Sequence, residues 1–136
     1  MADDIKITIK SDVDVVDARR RGRELAAQLD FSAGDQAVVA AAISEVARNI
    51  LSYAGHGEVL LHVMEDAERP GIRIVARDRG PGIADIARAM RDGYSTSGGL
   101  GLGLPGARRL MDEFQIVSSP KRGTTVTMKV WRRRRG

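Results

Sequence analysis

Glycine and serine crowd the first half of the stretch DGYSTSGGLGLGLPGARRLMDEF, residues 92–114. Residues 94–103 are too rich in these two amino acids for regular structure, whereas Pro105 suits the first turn of a helix running to about Glu113. Amides of a glycine loop and unpaired amides at a helix N-terminus both attract anions. The sequence therefore predicts a phosphate-binding lid formed by Gly99, Leu100, Gly101, Leu102 and Gly103.

Upstream of this lid, Asp78 ends an apolar strand and is followed by two glycines, Gly80 and Gly82. A partly desolvated carboxylate can accept a hydrogen bond from the exocyclic amine of adenine, and glycine lets the backbone approach a flat base. The same residues also fit a plain turn. They indicate a base-binding site only in combination with other motifs.

Further upstream, Glu45 and Asn49 are four residues apart on a predicted helix that begins near Ser32. Their side chains should point to the same spot. An Asn amide oxygen suits Mg²⁺, which takes water and phosphate oxygens as its other ligands, and a neighbouring carboxylate can direct a hydroxyl beside a γ-phosphate. For this spacing alone, a solvated pair on a surface helix is the simpler interpretation.

Downstream of the lid, Gly123-Thr124 forms a second glycine turn that can return to the same pocket. The four motifs together supply a metal ligand, a carboxylate, a base-binding corner and a glycine lid. These are the parts of an ATP site without a Walker loop, so we expect ATP and Mg²⁺ as the bound species.

Composition limits the alternatives. The chain has 136 residues, 43% of them hydrophobic, which suits one domain covering residues 1–136. It has no cysteine, no apolar signal core and no run long enough for a membrane span, so we expect a cytoplasmic protein without membrane contact. The net charge of +4 equals the charge of the terminal run Arg132 to Arg135, which makes nucleic acid an unlikely partner. The arginines at 19–21 and 23 are expected to form a solvated helix face.

Periodicity predicts one α/β sandwich, in which a mixed sheet carries helices on one face. The predicted order is strand, two helices, two strands, a short helix, the lid, a helix and two strands. The predicted strands are residues 5–9, 58–65, 72–78, 114–118 and 124–131, and the short helix before the lid is residues 84–92.

The four motifs in this order resemble the N, G1, G2 and G3 boxes of the GHKL (HATPase_c) ATPase/kinase superfamily, which has the Bergerat ATP-binding fold. The resemblance implies Glu45 as general base, Asn49 on Mg²⁺ and Asp78 reading the adenine amine. It also implies that Gly80 and Gly82 lie beside the base, that the lid glycines cover the phosphates, and that Thr124 belongs to the adenine-side network.

Within this superfamily, residues 92–114 and the ending Gly-Thr-Thr-Val-Thr-Met-Lys-Val-Trp look most like the RsbT-type serine kinases of bacterial stress signalling. That resemblance implies phosphorylation of STAS-domain stressosome proteins similar to RsbS and RsbR. It further implies activation of a PP2C-type, RsbU-like phosphatase once the kinase is released.

Three alternatives remain open from sequence. The RsbW and SpoIIAB-type anti-sigma kinases share the size and boxes of the RsbT type. A nucleotide-gated binding module with little turnover would need the same ATP site. A basic nucleic-acid binder is the third and least favoured.

Overall fold

Alternating apolar and polar residues at the N-terminus form the first edge of a sheet, as the period-two pattern predicts. The structure, a computed structural model, describes residues 4–66, 68–80, 103–120 and 122–133. In chain order the elements are β1 (Ile5–Ile9), α1 (Asp12–Gln28), α2 (Ala33–Ala54), β2 (Gly57–Glu65), β3 (Pro70–Arg77), α3 (Gly103–Leu110), β4 (Glu113–Ser119) and β5 (Gly123–Trp131). The helix predicted over residues 84–92 lies outside the described residues.

The five strands form one sheet in the order β1-β2-β3-β5-β4. All four pairings are antiparallel, so the expected mixed sheet is wrong in this respect. Two helices separate β1 from β2, and each reverses the chain, so the neighbouring strands run in opposite directions. Strands β3 and β4 do run the same way, but β5 lies between them. The α/β class itself is confirmed.

Helix α2 is the central core helix. Its apolar stripe is buried against the sheet at Val39, Ile43, Val46 and Ile50, as the helical spacing predicts. By length and apolar composition alone α2 would also pass as a membrane span, but it contacts α1, α3 and four of the strands. Such packing is that of a core helix in a globular domain.

The two long helices approach each other closely at Gly22 of α1. A methyl group at this position would collide with Cδ1 of Ile43, so glycine lets α1 lie directly on α2. Helix α3 includes Pro105 in its first turn, as the sequence predicts, but it ends at Leu110 instead of about Glu113. Strand β4 begins at Glu113 and takes those residues into the sheet.

The ends of α2 are fixed by its local sequence. The Ser32 hydroxyl accepts a hydrogen bond from the Asp35 amide at 3.1 Å, so Ser32 is the N-cap of the helix that the sequence predicts to begin near it. Gly55 closes the helix in the left-handed region with φ of 81°. The chain then turns directly into β2.

We expect Ser32→Ala to lower the free energy of unfolding by about 1 kcal/mol, because an α2 amide loses its cap. Ser11→Ala is the matched control, since Ser11 precedes α1 without a side-chain cap hydrogen bond. Urea denaturation would measure both variants. An effect of Ser11→Ala equal to that of Ser32→Ala would contradict the capping role.

Candidate functional site

Strand β3 ends in a buried carboxylate. Asp78 is 6% exposed, and its Oδ1 atom accepts hydrogen bonds from the amides of Gly80 at 2.9 Å and Thr124 at 3.3 Å. The Asp78 amide in turn donates to the carbonyl of Thr124 at 2.9 Å. These bonds join the end of β3 to the start of β5 and fix the carboxylate. We call Asp78, Gly80, Gly123 and Thr124 the Asp78 corner.

Both glycines of the Asp78 corner are required by close packing. Gly123 has φ of 80°, and a Cβ there would collide with the Asp78 carbonyl. A Cβ on Gly80 would lie 2.5 Å from Cβ of Ala54, near the C-terminal end of α2. The Asp78 corner is therefore packed against the same helix that carries Glu45 and Asn49.

Thr124 is 2% exposed and lies in the Asp78 corner as the sequence predicts. Its Oγ1 atom is 2.8 Å from Oγ of Ser118 on β4, a contact that joins the two last strands. The sequence analysis did not identify Ser118. Its cross-strand position opposite Thr124 becomes evident only from the β4–β5 register.

The carboxylate of Glu45 is held from two sides. Its Oε2 atom accepts a hydrogen bond at 2.8 Å from the amide of Gly103, the first residue of α3. Its Oε1 atom lies 3.5 Å from Nη1 of Arg48, one turn along α2. The Glu45 side chain is 13% exposed. The hydrogen bond from the first amide of α3 and the contact with Arg48 fix the orientation of the Glu45 carboxylate.

The position of Gly103 refines its predicted role. The sequence analysis placed Gly103 in the lid over the phosphates, but in the structure its amide is bonded to Glu45. Its φ of 68° is in the left-handed region, which favours glycine. Gly82, Gly99, Leu100, Gly101 and Leu102, the other predicted binding residues of this part of the chain, lie outside the described residues.

Asn49 is partly buried on α2, one turn after Glu45. Residues four apart on a helix are neighbours on its surface. The structure therefore brings together Glu45, Asn49 and Gly103 at the contact of α2 with α3, and separately gathers Asp78, Gly80 and Thr124 at the C-terminal end of α2.

Arg77, the residue before Asp78, points to the opposite face of the sheet, because successive strand residues alternate between the two faces. Arg77 donates from Nε to Oε1 of Glu58 at 2.6 Å on the other side of the sheet. That hydrogen bond, together with Lys6 at 3.2 Å, lowers the pKa of Glu58 below its ordinary value.

Comparison with known proteins agrees with this geometry. Residues 34–134 match the family described as histidine kinase-, DNA gyrase B- and HSP90-like ATPases. The chain belongs to this ATPase family, and the expected GHKL fold is confirmed.

Within the family, the chain is 47% identical to the serine/threonine-protein kinase RsbT of Bacillus subtilis, over 98% of this chain and 100% of that protein. This similarity confirms the expected RsbT type and its class of enzyme, the protein serine/threonine kinases. The anti-sigma F factor of Halalkalibacterium halodurans is 30% identical over 76% of this chain and 74% of its own length. The solved structure of the mycobacterial sensor histidine kinase MprB aligns with 99% of this chain and with 100% of its own chain. The TM-score is 0.55 at 15% sequence identity, which shows a shared fold.

The hydrogen bonds of Asp78 predict different effects for two substitutions. Asp78→Asn keeps an acceptor at Oδ1 and should cost less than about 1 kcal/mol of unfolding free energy, whereas Asp78→Ala leaves two amides unpaired and should cost about 2 kcal/mol. Thermal or urea unfolding would measure the difference. Equal destabilisation by both variants would show that Oδ1 is not the atom that joins β3 to β5.

Proposed function

We propose that this protein is a single ATP-binding kinase domain that phosphorylates serine or threonine on STAS-domain stressosome proteins similar to RsbS and RsbR. After release from them it binds and activates a PP2C-type, RsbU-like phosphatase. The observation that carries the proposal is the full-length 47% identity to RsbT together with a fixed carboxylate, Glu45, one helical turn from Asn49.

Glu45 is suited to direct an acceptor hydroxyl. The Gly103 amide and Arg48 hold its two oxygens, so the carboxylate has little freedom to rotate. In the transfer, the acceptor oxygen bonds to the γ-phosphorus, the bond from that phosphorus to the bridging oxygen of ADP breaks, and the hydroxyl proton passes to Glu45. Positioning supplies most of the rate in such reactions, because the transition state is largely dissociative.

The residues around Asn49 fit Mg²⁺. An amide oxygen is a hard ligand, and the described residues contain no cluster of three His, Cys, Asp or Glu that would form an all-protein metal cage. Mg²⁺ normally takes one or two protein ligands and completes its shell with phosphate oxygens and water. When bound, the ion would neutralise charge on the β- and γ-phosphates. Asn49 would hold it, and the predicted lid would cover the phosphates.

Asp78 would select adenine. Within the described part of the chain, both amide hydrogen bonds to the Asp78 side chain end on Oδ1, which leaves Oδ2 for the exocyclic amine of the base. Guanine has a carbonyl at that ring position and would place two acceptors against each other. Gly80, Gly82 and Thr124 would form the surroundings of the base, and ATP should be preferred to GTP.

The proposed partners and location follow from the RsbT relationship. STAS-domain substrates and a PP2C-type phosphatase are cytoplasmic signalling proteins in this scheme, and α2 is packed in the core. We therefore place the protein in the cytoplasm.

Incubation with Mg-ATP and a STAS-domain partner, followed by intact-mass measurement, tests the proposed kinase function directly: no added phosphate on the partner would refute it.

The second candidate is an anti-sigma kinase of the RsbW and SpoIIAB type. Its support is the 30% identity to an anti-sigma F factor over about three quarters of the chain. Affinity purification from the native cell distinguishes the two candidates. A large STAS assembly supports the RsbT-type function, whereas a sigma factor supports the alternative.

We expect Asn49→Ala to abolish Mg²⁺-dependent nucleotide binding and phosphoryl transfer, because the ion would lose its direct protein ligand. Asn49→Asp is the matched control, since it keeps a hard oxygen at the same position. Calorimetry with ATP in the presence and absence of Mg²⁺ measures the effect. Wild-type Mg-ATP affinity in Asn49→Ala would rule out this ligand.

We expect Glu45→Gln to reduce transfer by a factor of about 10² to 10⁴ while keeping most of the Mg-ATP affinity. Glutamine can still accept the Gly103 hydrogen bond but cannot take the proton. Glu45→Ala would lose both and provides the comparison.

The measurement is radiolabel on the STAS partner after acid treatment, which phosphoserine survives and phosphohistidine does not. Wild-type transfer by Glu45→Gln, or acid-labile label on the kinase itself, would refute the role of Glu45.

A further inference from the structure

The last turn of α2 packs directly against the Asp78 corner. Gly80 donates its amide to Oδ1 of Asp78 at 2.9 Å, and its Cα lies beside Ala54. A Cβ on Gly80 would be 2.5 Å from Cβ of Ala54 and 2.8 Å from its Cα. The residue that holds the Asp78 carboxylate is therefore itself held by the side chain at position 54.

Gly57, the first residue of β2, contacts Asp78 from a second direction. Gly57 and the buried Leu61 have the same strand parity, so a side chain at residue 57 would point to the face covered by the helices. A Cβ there would lie 2.5 Å from the Arg77 carbonyl oxygen, 2.8 Å from Cγ2 of Ile50 and 3.1 Å from Cβ of Asp78. Glycine leaves this space free, so the end of β3 packs directly on β2 and α2.

Strand β5 supplies the third contact. The Thr124 amide donates to Oδ1 of Asp78 at 3.3 Å, and Gly123 packs against the Asp78 backbone. Asp78 is thus placed by β5, by the last turn of α2 and by the start of β2. Hydrogen bonds weaken steeply when their angle or length departs from the optimum, so a small displacement at any of these contacts changes what the carboxylate can bind.

The burial of Asp78 makes its position decisive for selectivity. Its side chain belongs to a residue that is only 6% exposed, so a ligand can reach the carboxylate over a narrow part of its surface. A site that binds a polar group through a buried partner rejects analogues without that group, because the partner is then left unpaired. Selectivity of this kind requires an acceptor at a fixed place.

We propose that Gly57 and Ala54 are positioning residues that set the place of the Asp78 carboxylate and thereby determine the preference for a purine with a 6-amino group. Gly57 acts on Asp78 directly, and Ala54 acts through the amide of Gly80. Neither residue needs to touch the nucleotide. The inference rests on the proposed function, in which Asp78 binds the exocyclic amine of adenine.

The test compares two ligands that differ only in the amine. Isothermal titration calorimetry with Mg²⁺ gives the affinity of the full chain for ATP and for purine riboside 5′-triphosphate, which has hydrogen in place of the 6-amino group. We expect the wild type to bind ATP at least about tenfold more tightly. Loss of folded protein weakens both ligands equally, so the ratio of the two affinities reports on the amine contact alone.

Gly57→Ala should reduce this ratio about fivefold, because the new methyl group displaces the end of β3. Gly71→Ala is the matched control. Gly71 lies near the opposite end of β3, and a Cβ there would be 2.5 Å from Cε3 of Trp131. Gly71→Ala should therefore lower the melting temperature as Gly57→Ala does, but it should keep the wild-type ratio.

Ala54→Val provides a second, independent variant, and it decides the test where Gly57→Ala gives no folded protein. Its added methyl groups press on Gly80 and should reduce the ratio about threefold. Ser52→Val is its control, since Ser52 is exposed on the same turn of α2 and the new residue has the same helix propensity. Ser52→Val should leave the ratio unchanged.

The outcomes separate this inference from the proposed function. Equal binding of the two ligands by the wild type would refute the role of Asp78 in the proposed function, and the positioning role with it. A wild-type preference for ATP that persists in both Gly57→Ala and Ala54→Val would overturn the positioning role alone. An equal fall of the ratio in Gly71→Ala would show that the effect reflects general destabilisation of the sheet, which would also overturn it.

Discussion

Helix α2 packs against the sheet, α1 and α3 at the same time, which leaves only a narrow strip of its surface for polar side chains. Its eight buried residues span about 200° of the circumference, a little over half, within the first five turns. Glu45 and Asn49 occupy the strip that remains, next to α3. Because α2 is packed against the sheet and two helices, the backbone that carries the two side chains is placed relative to the sheet without help from a ligand. The Asp78 corner is placed by the same helix, since Gly80 packs on Ala54.

Two anions compete for the amides at the start of α3: the Glu45 carboxylate, which already binds the Gly103 amide, and a phosphate group. Unpaired amides at a helix N-terminus attract phosphate, yet one of them already serves the carboxylate of Glu45. An approaching γ-phosphate would meet a negative carboxylate at the same helix end. The repulsion is tolerable only if a cation lies between the two groups, and Asn49 is one turn away on the correct side of α2. Arg48 contributes positive charge from the other side of Glu45, where its Nη1 atom lies 3.5 Å from Oε1 of the carboxylate.

Much of this arrangement was predictable from local sequence signals, and the exceptions have physical causes. Ser32, Gly55 and the stripe from Val39 to Ile50 obey short-range rules for caps and periodicity, so α2 and its polar pair could be predicted from residues alone. The antiparallel direction of every strand pair could not be predicted in this way, because it depends on which strands become neighbours in the sheet. Ser118 and the Gly103–Glu45 bond were missed for the same reason: their partners are distant in sequence or set by register. The end of α3 was misplaced by about three residues because pairing with β5 outweighed helical propensity.

The proposed function assigns the nucleotide and the protein acceptor to positions around α2. Asn49 and the Asp78 corner lie on the side proposed for the nucleotide, and Ser44 and Arg48 lie on the side of α1. The solvated helix face expected for the arginines of α1 agrees with the structure, in which Arg19, Arg20 and Arg23 are exposed and Arg20 is paired with neighbours on its own helix. In the proposed transfer the acceptor oxygen and the γ-phosphorus must meet beside Glu45, so both substrates need access to this carboxylate. Burial of α2 then fixes the distance between them, and a protein acceptor can be exchanged while the nucleotide stays in place.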